Sequence, residues 1–330
     1  MRPAAVALLF LSTPAAAADW TPVATQLIEK EKPGYGGLSG VAVDRATGTL
    51  YVDLSDRGVF RSADRGQTWE RVGKEIKGRT ETPGCFQIDP TGKTKRMLLP
   101  VVYGSPIAVG TDKGDWSVLD KASGHVDWCA ADWTDPEMKF LLTLKHESGG
   151  LLLMSRDGGK SFTEVGKGYG PAWVFDKDTA VVVRLKTKDN PDGGIVMTTD
   201  GGKTFTPAGN FSFTGLPRWY GDTLWWMEVY KDKGVIYRTS NKCQTWFRLR
   251  DVKDARYGPV IGKDEKHLFV LTATGVVEST DGGETWGAPV PVPKELKGVS
   301  ALTWLEYDPK NDVLYVMKMT SDLYAMARGK

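Results

Sequence analysis

Four arginines, Arg57, Arg79, Arg218 and Arg256, stand in stretches rich in glycine and aromatic residues. A guanidinium there can hold a carboxylate through two parallel N–H···O bonds. Three stretches share a wording: Tyr35-Gly36-Gly37, Tyr169-Gly170-Pro171 and Tyr257-Gly258-Pro259. With Trp219, which follows Arg218, these tyrosines could form an aromatic platform for a sugar or a peptide. Tyr-Gly-Pro could equally be how this chain enters a strand. Six carboxylates, Asp53, Asp56, Glu81, Asp127, Glu147 and Glu228, are candidates for an acid–nucleophile pair. Such pairs work at a separation of about 5–9.5 Å, which sequence does not supply, and each also reads as a solvated loop charge. His125, Asp127 and Cys129 alternate on one stretch, and His146-Glu147 lies one hairpin further on. A metal site can be drawn from them, but they show no recognised ligand spacing, so no metal and no cofactor is expected. Trp225-Trp226 lies in a strand pattern, where one ring faces each side and both read as core.

The elements carrying these residues belong to a globular chain. Of 330 residues, 41% are hydrophobic and 25% charged, which excludes disordered and collagen-like classes. Lys plus Arg number 43 against 41 Asp plus Glu, so the basic excess that nucleic acid needs is missing. The first 18 residues read as a secretory signal: Arg2, an apolar run from Ala4 to Leu11, then Ala16-Ala17-Ala18 before Asp19. The expectation is a secreted or periplasmic protein, cleaved near Ala18. No segment is apolar enough for a transmembrane span, which takes about 20 residues. Cys85, Cys129 and Cys243 are too few for a disulfide scaffold. Buried free thiols are expected, with one pair possible.

An internal repeat organises the rest: Ser or Thr, any, Asp, any, Gly, any, Ser or Thr, aromatic. It runs over 62–69 with Asp64, 155–162 with Asp157, 198–205 with Asp200 and 279–286 with Asp281. A degenerate copy over 239–246 has Asn241 for Asp and Cys243 for Gly. A poorer copy over 110–117, read with Asp112 in the acidic position, lacks one residue. The acidic positions fall 40 to 48 residues apart, the propeller range, with four strands per blade. The Asp carboxylate is read as a turn lock accepting backbone N–H groups two residues on, the Gly as a positive-φ position, and the aromatic as the start of the next strand. These acids are therefore structural, not catalytic.

The motif resembles the Asp-box, or bacterial neuraminidase repeat, shared by sialidases, xyloglucanases, sortilin-type receptors and photosystem II assembly factors. The resemblance covers nearly the whole of 19–330 and implies a β-propeller; it carries little about activity, because these families differ in function. Sialidases use three arginines, a Tyr–Glu pair and an Asp acid on six blades. This chain departs from them: no Arg-Ile-Pro segment precedes the first box, where it reads Tyr35-Gly36-Gly37-Leu38-Ser39-Gly40-Val41. Xyloglucanases place two Asp residues between two propellers, and only one propeller fits here.

Six boxes define six blades through about Val292. A seventh unit follows, with strands over 301–307, 313–319 and 323–326, one strand short. Asp19-Trp20-Thr21-Pro22-Val23 resembles the strand after a box, so the N-terminus is expected to close the last blade. The fold expected is therefore all-β, a single seven-bladed propeller; the alternative is six blades and an appendage. Function is expected on the face where loops enter each blade, around the central channel, at Tyr35, Arg57, Arg79, Tyr169, Arg218, Trp219, Arg256 and Tyr257. The expected role is non-catalytic binding or scaffolding of a protein or carbohydrate, as a monomer. The alternative is a sialidase-like glycoside hydrolase or another carbohydrate-active enzyme.

Overall fold

Short β-rich runs separated by glycine turns pair here with their sequence neighbours into antiparallel sheets. A computed structural model describes residues 19–188 and 190–328; the signal segment 1–18 lies outside them. Blade 1 is Gly40–Val43, Leu50–Asp53, Val59–Ser62 and Glu70–Gly73, each strand pairing with the next. The innermost strands of blades 2 to 6 are Gln87–Ile88, Val126–Ala131, Tyr169–Val174, Phe213–Tyr220 and Ala255–Ile261. The fourth strand of blade 6 shrinks to one bridge, Val276 to Val290. Blade 7 comprises Thr303–Asp308, Val313–Lys318 and Leu323–Ala327, and its outer strand is Thr21–Pro22. Thr21 faces Ala325 and Pro22 faces Tyr324. The inner strands of blades 7 and 1 pack together, so the ring closes. Seven blades are present, and the six-bladed alternative is set aside.

The core lies between facing blades. Inner and second strands are buried almost throughout, as in Leu268–Thr272 and Val313–Met317. Trp225, Trp226 and Trp304 are fully buried there. All three cysteines are free and buried, so the possible pair does not form.

The repeat segments form the turn between third and fourth strands, and their hydrogen bonds recur. In blade 1 the Ser62 hydroxyl donates to Asp64 at 2.7 Å and accepts from the Gly66 N–H at 2.7 Å. Asp64 accepts from the Thr68 N–H at 2.9 Å and the Thr68 hydroxyl at 2.6 Å. Asp157, Asp200 and Asp281 repeat this pattern. The carboxylate thus locks onto the residue four positions on, where two had been expected; residue 66 instead bonds the Ser62 hydroxyl. The second turn also corrects the sequence reading. Asp115, not Asp112, accepts from the Thr111 N–H, at 3.0 Å, and from its hydroxyl; the Asp112 carboxylate faces Lys95 at 3.4 Å. In the fifth turn Asn241 accepts from the Thr245 N–H at 3.0 Å and donates to the Thr245 hydroxyl at 2.8 Å. The turn glycine has a second task. Gly66, at φ +89°, leaves no room for a Cβ, which would meet Val23 of the preceding blade at 2.7 Å.

Candidate functional site

The ring has two unlike ends. The turns joining first to second strands lie beside the repeat turns, as the Gly201 N–H to Asp178 carbonyl bond (2.9 Å) and the Gly282 N–H to Lys266 carbonyl bond (2.8 Å) show. This is the turn face. Loops entering each inner strand, and loops joining second to third strands, form the opposite, entry face.

The channel between them is blocked. The connection from blade 1 to blade 2 crosses it: Thr80 bonds Ser39 of blade 1, while a Cβ on Gly84 would lie 2.9 Å from the Tyr257 hydroxyl and 3.1 Å from Arg218. Arg218 pairs with Glu306 at 2.6 Å and with the Tyr257 hydroxyl, joining blades 5, 6 and 7 across the axis. Burial opposes the Arg218 charge, but Glu306 and Tyr257 outweigh it and raise its pKa. Burial also pushes Glu306 and Tyr257 upward. Arg218 and Tyr257 are thus joined in a cross-channel tie.

Below the tie, a funnel of about 610 Å3 opens on the turn face, lined by Arg45, Phe86, Trp219, Tyr220 and Tyr307 among others. Trp219 stacks on Trp173 at 5.7 Å. Arg45 lies over Tyr220 and donates to the Ile261 and Gly262 carbonyls at 2.7 and 2.5 Å. The acids along this funnel are committed. Asp44 holds Ala46 and Thr47, Asp89 holds Thr91 and Thr94, Asp222 bonds Thr223 and Glu306 pairs with Arg218. Among the described residues, each acid lining the funnel thus already has a hydrogen-bond or ion-pair partner.

A denser cluster stands on the entry face over blades 1 to 3. Gly78–Arg79 pairs with Tyr103–Gly104 in a two-stranded ribbon, which fixes Arg79 beside Tyr103. The Arg79 guanidinium lies 3.7 Å from the Tyr35 ring centroid and 4.6 Å from that of Tyr103, and it pairs with Glu81. Such stacking is the cation–π arrangement. The rings of Tyr103, His125 and His146 meet edge to face at 5.1–5.6 Å. His146 Nδ1 bonds Asp127 at 2.6 Å, and His125 Nδ1 bonds the Val102 carbonyl at 2.8 Å. Around His146 Nε2 stand the Tyr103 hydroxyl at 3.5 Å, Glu147 at 3.7 Å and Glu81 at 3.9 Å. Among the described residues, no three of His, Cys, Asp and Glu are gathered to hold a metal ion.

The residues singled out from sequence thus have separate settings. Tyr35 and Arg79 come together. Arg57 donates to the Glu31 and Lys32 carbonyls, both at 2.8 Å, and so holds the end of the helix Thr25–Glu31. Arg256 is exposed and donates to the Ala255 carbonyl. Tyr169, expected at the channel mouth, is only 9% exposed and lies beneath Arg184. Trp219 lines the funnel on the turn face, not the entry face. Of the carboxylates, Asp53 is buried against Ser39, Asp56 bonds the Gly34 N–H and Glu228 bonds the Ser212 N–H. Glu81, Asp127 and Glu147 gather around His146. Sequence reasoning missed Tyr103 altogether and treated His125 and His146 only as metal ligands. The signal was faint: all three sit in blade-entry or second-to-third loops, the same places that singled out Tyr35 and Arg79.

The chain matches no protein-family model, and no curated protein matches it. Solved structures do resemble it. A GH74 enzyme of Niastella koreensis is 18% identical with a TM-score of 0.60, over 93% of this chain and 53% of that one. The chain thus spans about half the length of that enzyme. A structure of YCF48 bound to a D1 peptide is 16% identical with a TM-score of 0.55, over 96% of this chain and 97% of that one. The β-propeller domain of Cps50 (Swd1) from Myceliophteria thermophila is 10% identical with a TM-score of 0.62, over 90% and 98%. The shared property is the fold: these neighbours include an enzyme and a peptide-binding protein on one architecture. Among the described residues, no helix is long and apolar enough to cross a membrane.

Proposed function

We propose that the chain is an exported Asp-box propeller that binds a partner, protein or carbohydrate, without transforming it, through its entry face. One observation carries this reading. Among the described residues six large hydrophobic side chains are exposed: Tyr35 and Leu185 lie in entry-face loops, Tyr103 in the entry-face ribbon and Tyr230 at the entry-face end of the strand Thr223–Tyr230, whereas Val118 and Phe247 lie on outermost strands. Exposed apolar groups gathered on one face mark an interaction surface. The likeness to a peptide-bound propeller is in keeping with this role. The test is Tyr35→Ala and Tyr103→Ala: each should weaken partner binding at least about fivefold, as loss of an aromatic anchor does. Their melting temperatures should stay within about 2 °C of the parent, because exposed side chains contribute little to stability. Tyr169→Ala, by contrast, should lower it clearly. Unchanged binding in both entry-face variants would overturn the assignment. Glycoside hydrolysis is the second reading, favoured by the gathering of Glu81, Asp127 and Glu147 around His146; release of sugar from a bound glycan would establish it. Export is checked by finding Asp19 at the N-terminus of the protein recovered outside the cytoplasm.

A further inference from the structure

The entry-face cluster gathers three carboxylates around one imidazole. Glu81, Asp127 and Glu147 all stand within 4 Å of His146, Arg79 is engaged by Glu81, and the Lys145 ammonium close by is taken up by the Ala122 and Gly124 carbonyls. Among the described residues neither Asp127 nor Glu147 has a Lys or Arg partner, and the Glu147 side chain is 75% exposed. Both imidazoles are held through Nδ1. A carbonyl oxygen only accepts, so His125 Nδ1 carries the proton in its bond to Val102, while His146 Nδ1 bonds Asp127. In the uncharged ring His125 Nε2 is then a lone pair. The aromatic groups already show what they accept, because Tyr35 and Tyr103 both stack on Arg79. They remain 75% and 42% exposed, which leaves ring surface free.

Resting on the reading of the entry face as a binding surface, we propose that the cluster of Tyr35, Tyr103, His146, Asp127 and Glu147 receives a lysine or arginine side chain from a basic segment of a protein partner. Two carboxylates without a Lys or Arg partner supply charge complementarity, two aromatic rings supply a cation–π surface, and the carboxylate and Tyr103 hydroxyl oxygens accept from the N–H donors. An organic cation suits this set better than a metal ion, because it needs no ligands gathered at bonding distance.

The experiment uses the chain 19–330 and three fluorescent peptides of equal length: Gly-Ser repeats bearing arginine, the same bearing citrulline, and the same bearing glutamate. Anisotropy is read at low ionic strength, where an exposed charge pair is least screened. The arginine peptide should bind at least about tenfold tighter than the citrulline peptide, and the glutamate peptide least. Glu147→Gln should cost the arginine peptide about tenfold. Glu164→Gln, which removes an exposed carboxylate from an outer strand of blade 3, should leave it unchanged. Equal binding of the arginine and citrulline peptides, or insensitivity to Glu147→Gln, would overturn the proposal. So would zinc that displaces the peptide and loses its own binding in Glu147→Gln, which assigns the cluster to a metal. Preferential binding of the glutamate peptide, abolished by Tyr103→Ala, would refute the cation but keep the entry face as the binding surface. Failure of every peptide and glycan to bind would refute both.

Discussion

Asp53 shows how one residue can look functional in sequence and be structural in the fold. It lies on the second strand of blade 1, fully buried, with the Ser39 hydroxyl at 2.5 Å. Burial pushes its pKa up to about 8, against hydrogen bonds from Ser39, Thr80 and Ser55. The folded carboxyl holds its proton more tightly than the unfolded one. Its contribution to stability is therefore whole below about pH 4, declines as pH rises, and is lost by about pH 8. We expect Asp53→Asn to be more stable than the parent at pH 9 and no more stable at pH 4, read from urea midpoints. Parallel pH profiles would show that the carboxyl is already ionised in the fold. A carboxylate's burial depends on partners far along the chain: Ser39 is fourteen residues away and Thr80 further still. That is why a list of candidate acids from sequence mixes buried, turn-bound and free groups. The same holds for Arg57, Arg79, Arg218 and Arg256, read as one set and found with four unrelated sets of partners.

At the scale of the element, local spacing settles most of the structure. The repeat turn is closed by residues within five positions of one another, so its existence and most of its copies are legible without the fold. What spacing could not settle was which atom closes which bond. In the second turn one missing residue moves the role from Asp112 to Asp115. Asp64, Asp157 and Asp281 are held down at about 2, chiefly by the hydroxyls of Thr68, Ser161 and Thr285. Depressed folded values contribute stability above about pH 4 that is lost as pH falls toward 2. Asp157→Ala should cost about 1 kcal/mol at pH 7, a charge-assisted hydrogen-bond loss discounted for solvent screening, and almost nothing near pH 2. Asn241→Asp should do the reverse, stabilising at pH 7 and losing that gain in acid. Calorimetry at the two pH values checks both, and an equal effect at both would remove the carboxylate from the turn's energetics.

The whole molecule depends on a joint between its two ends. Thr21–Pro22 completes blade 7, the Trp20 indole donates to the Pro291 carbonyl at 2.8 Å, and Asp322 accepts from the Ala24 N–H at 2.9 Å. Removing 19–23 would bare the edge of Leu323–Ala327, and exposed edges invite association. We expect that truncation to melt earlier and to aggregate, as seen by light scattering; a monomer of unchanged melting temperature would show that closure carries no stability. Seven blades and this closure were legible because they follow from counting strands against a period. The site was legible only in part. Tyr35 and Arg79 were singled out, but their meeting with Tyr103 and His146 depends on the Gly78–Arg79 ribbon, a pairing between loops of neighbouring blades that no period encodes. The blocked channel has the same origin, in one connection crossing the axis. The central claim is that the entry face binds and does not cut. It is tested most directly by presenting the chain 19–330 to glycan and peptide arrays and examining every bound member for cleavage. Selective binding that is lost in Tyr103→Ala, with bound members intact, is the result expected. Cleaved glycan, or binding indifferent to Tyr103, would contradict it.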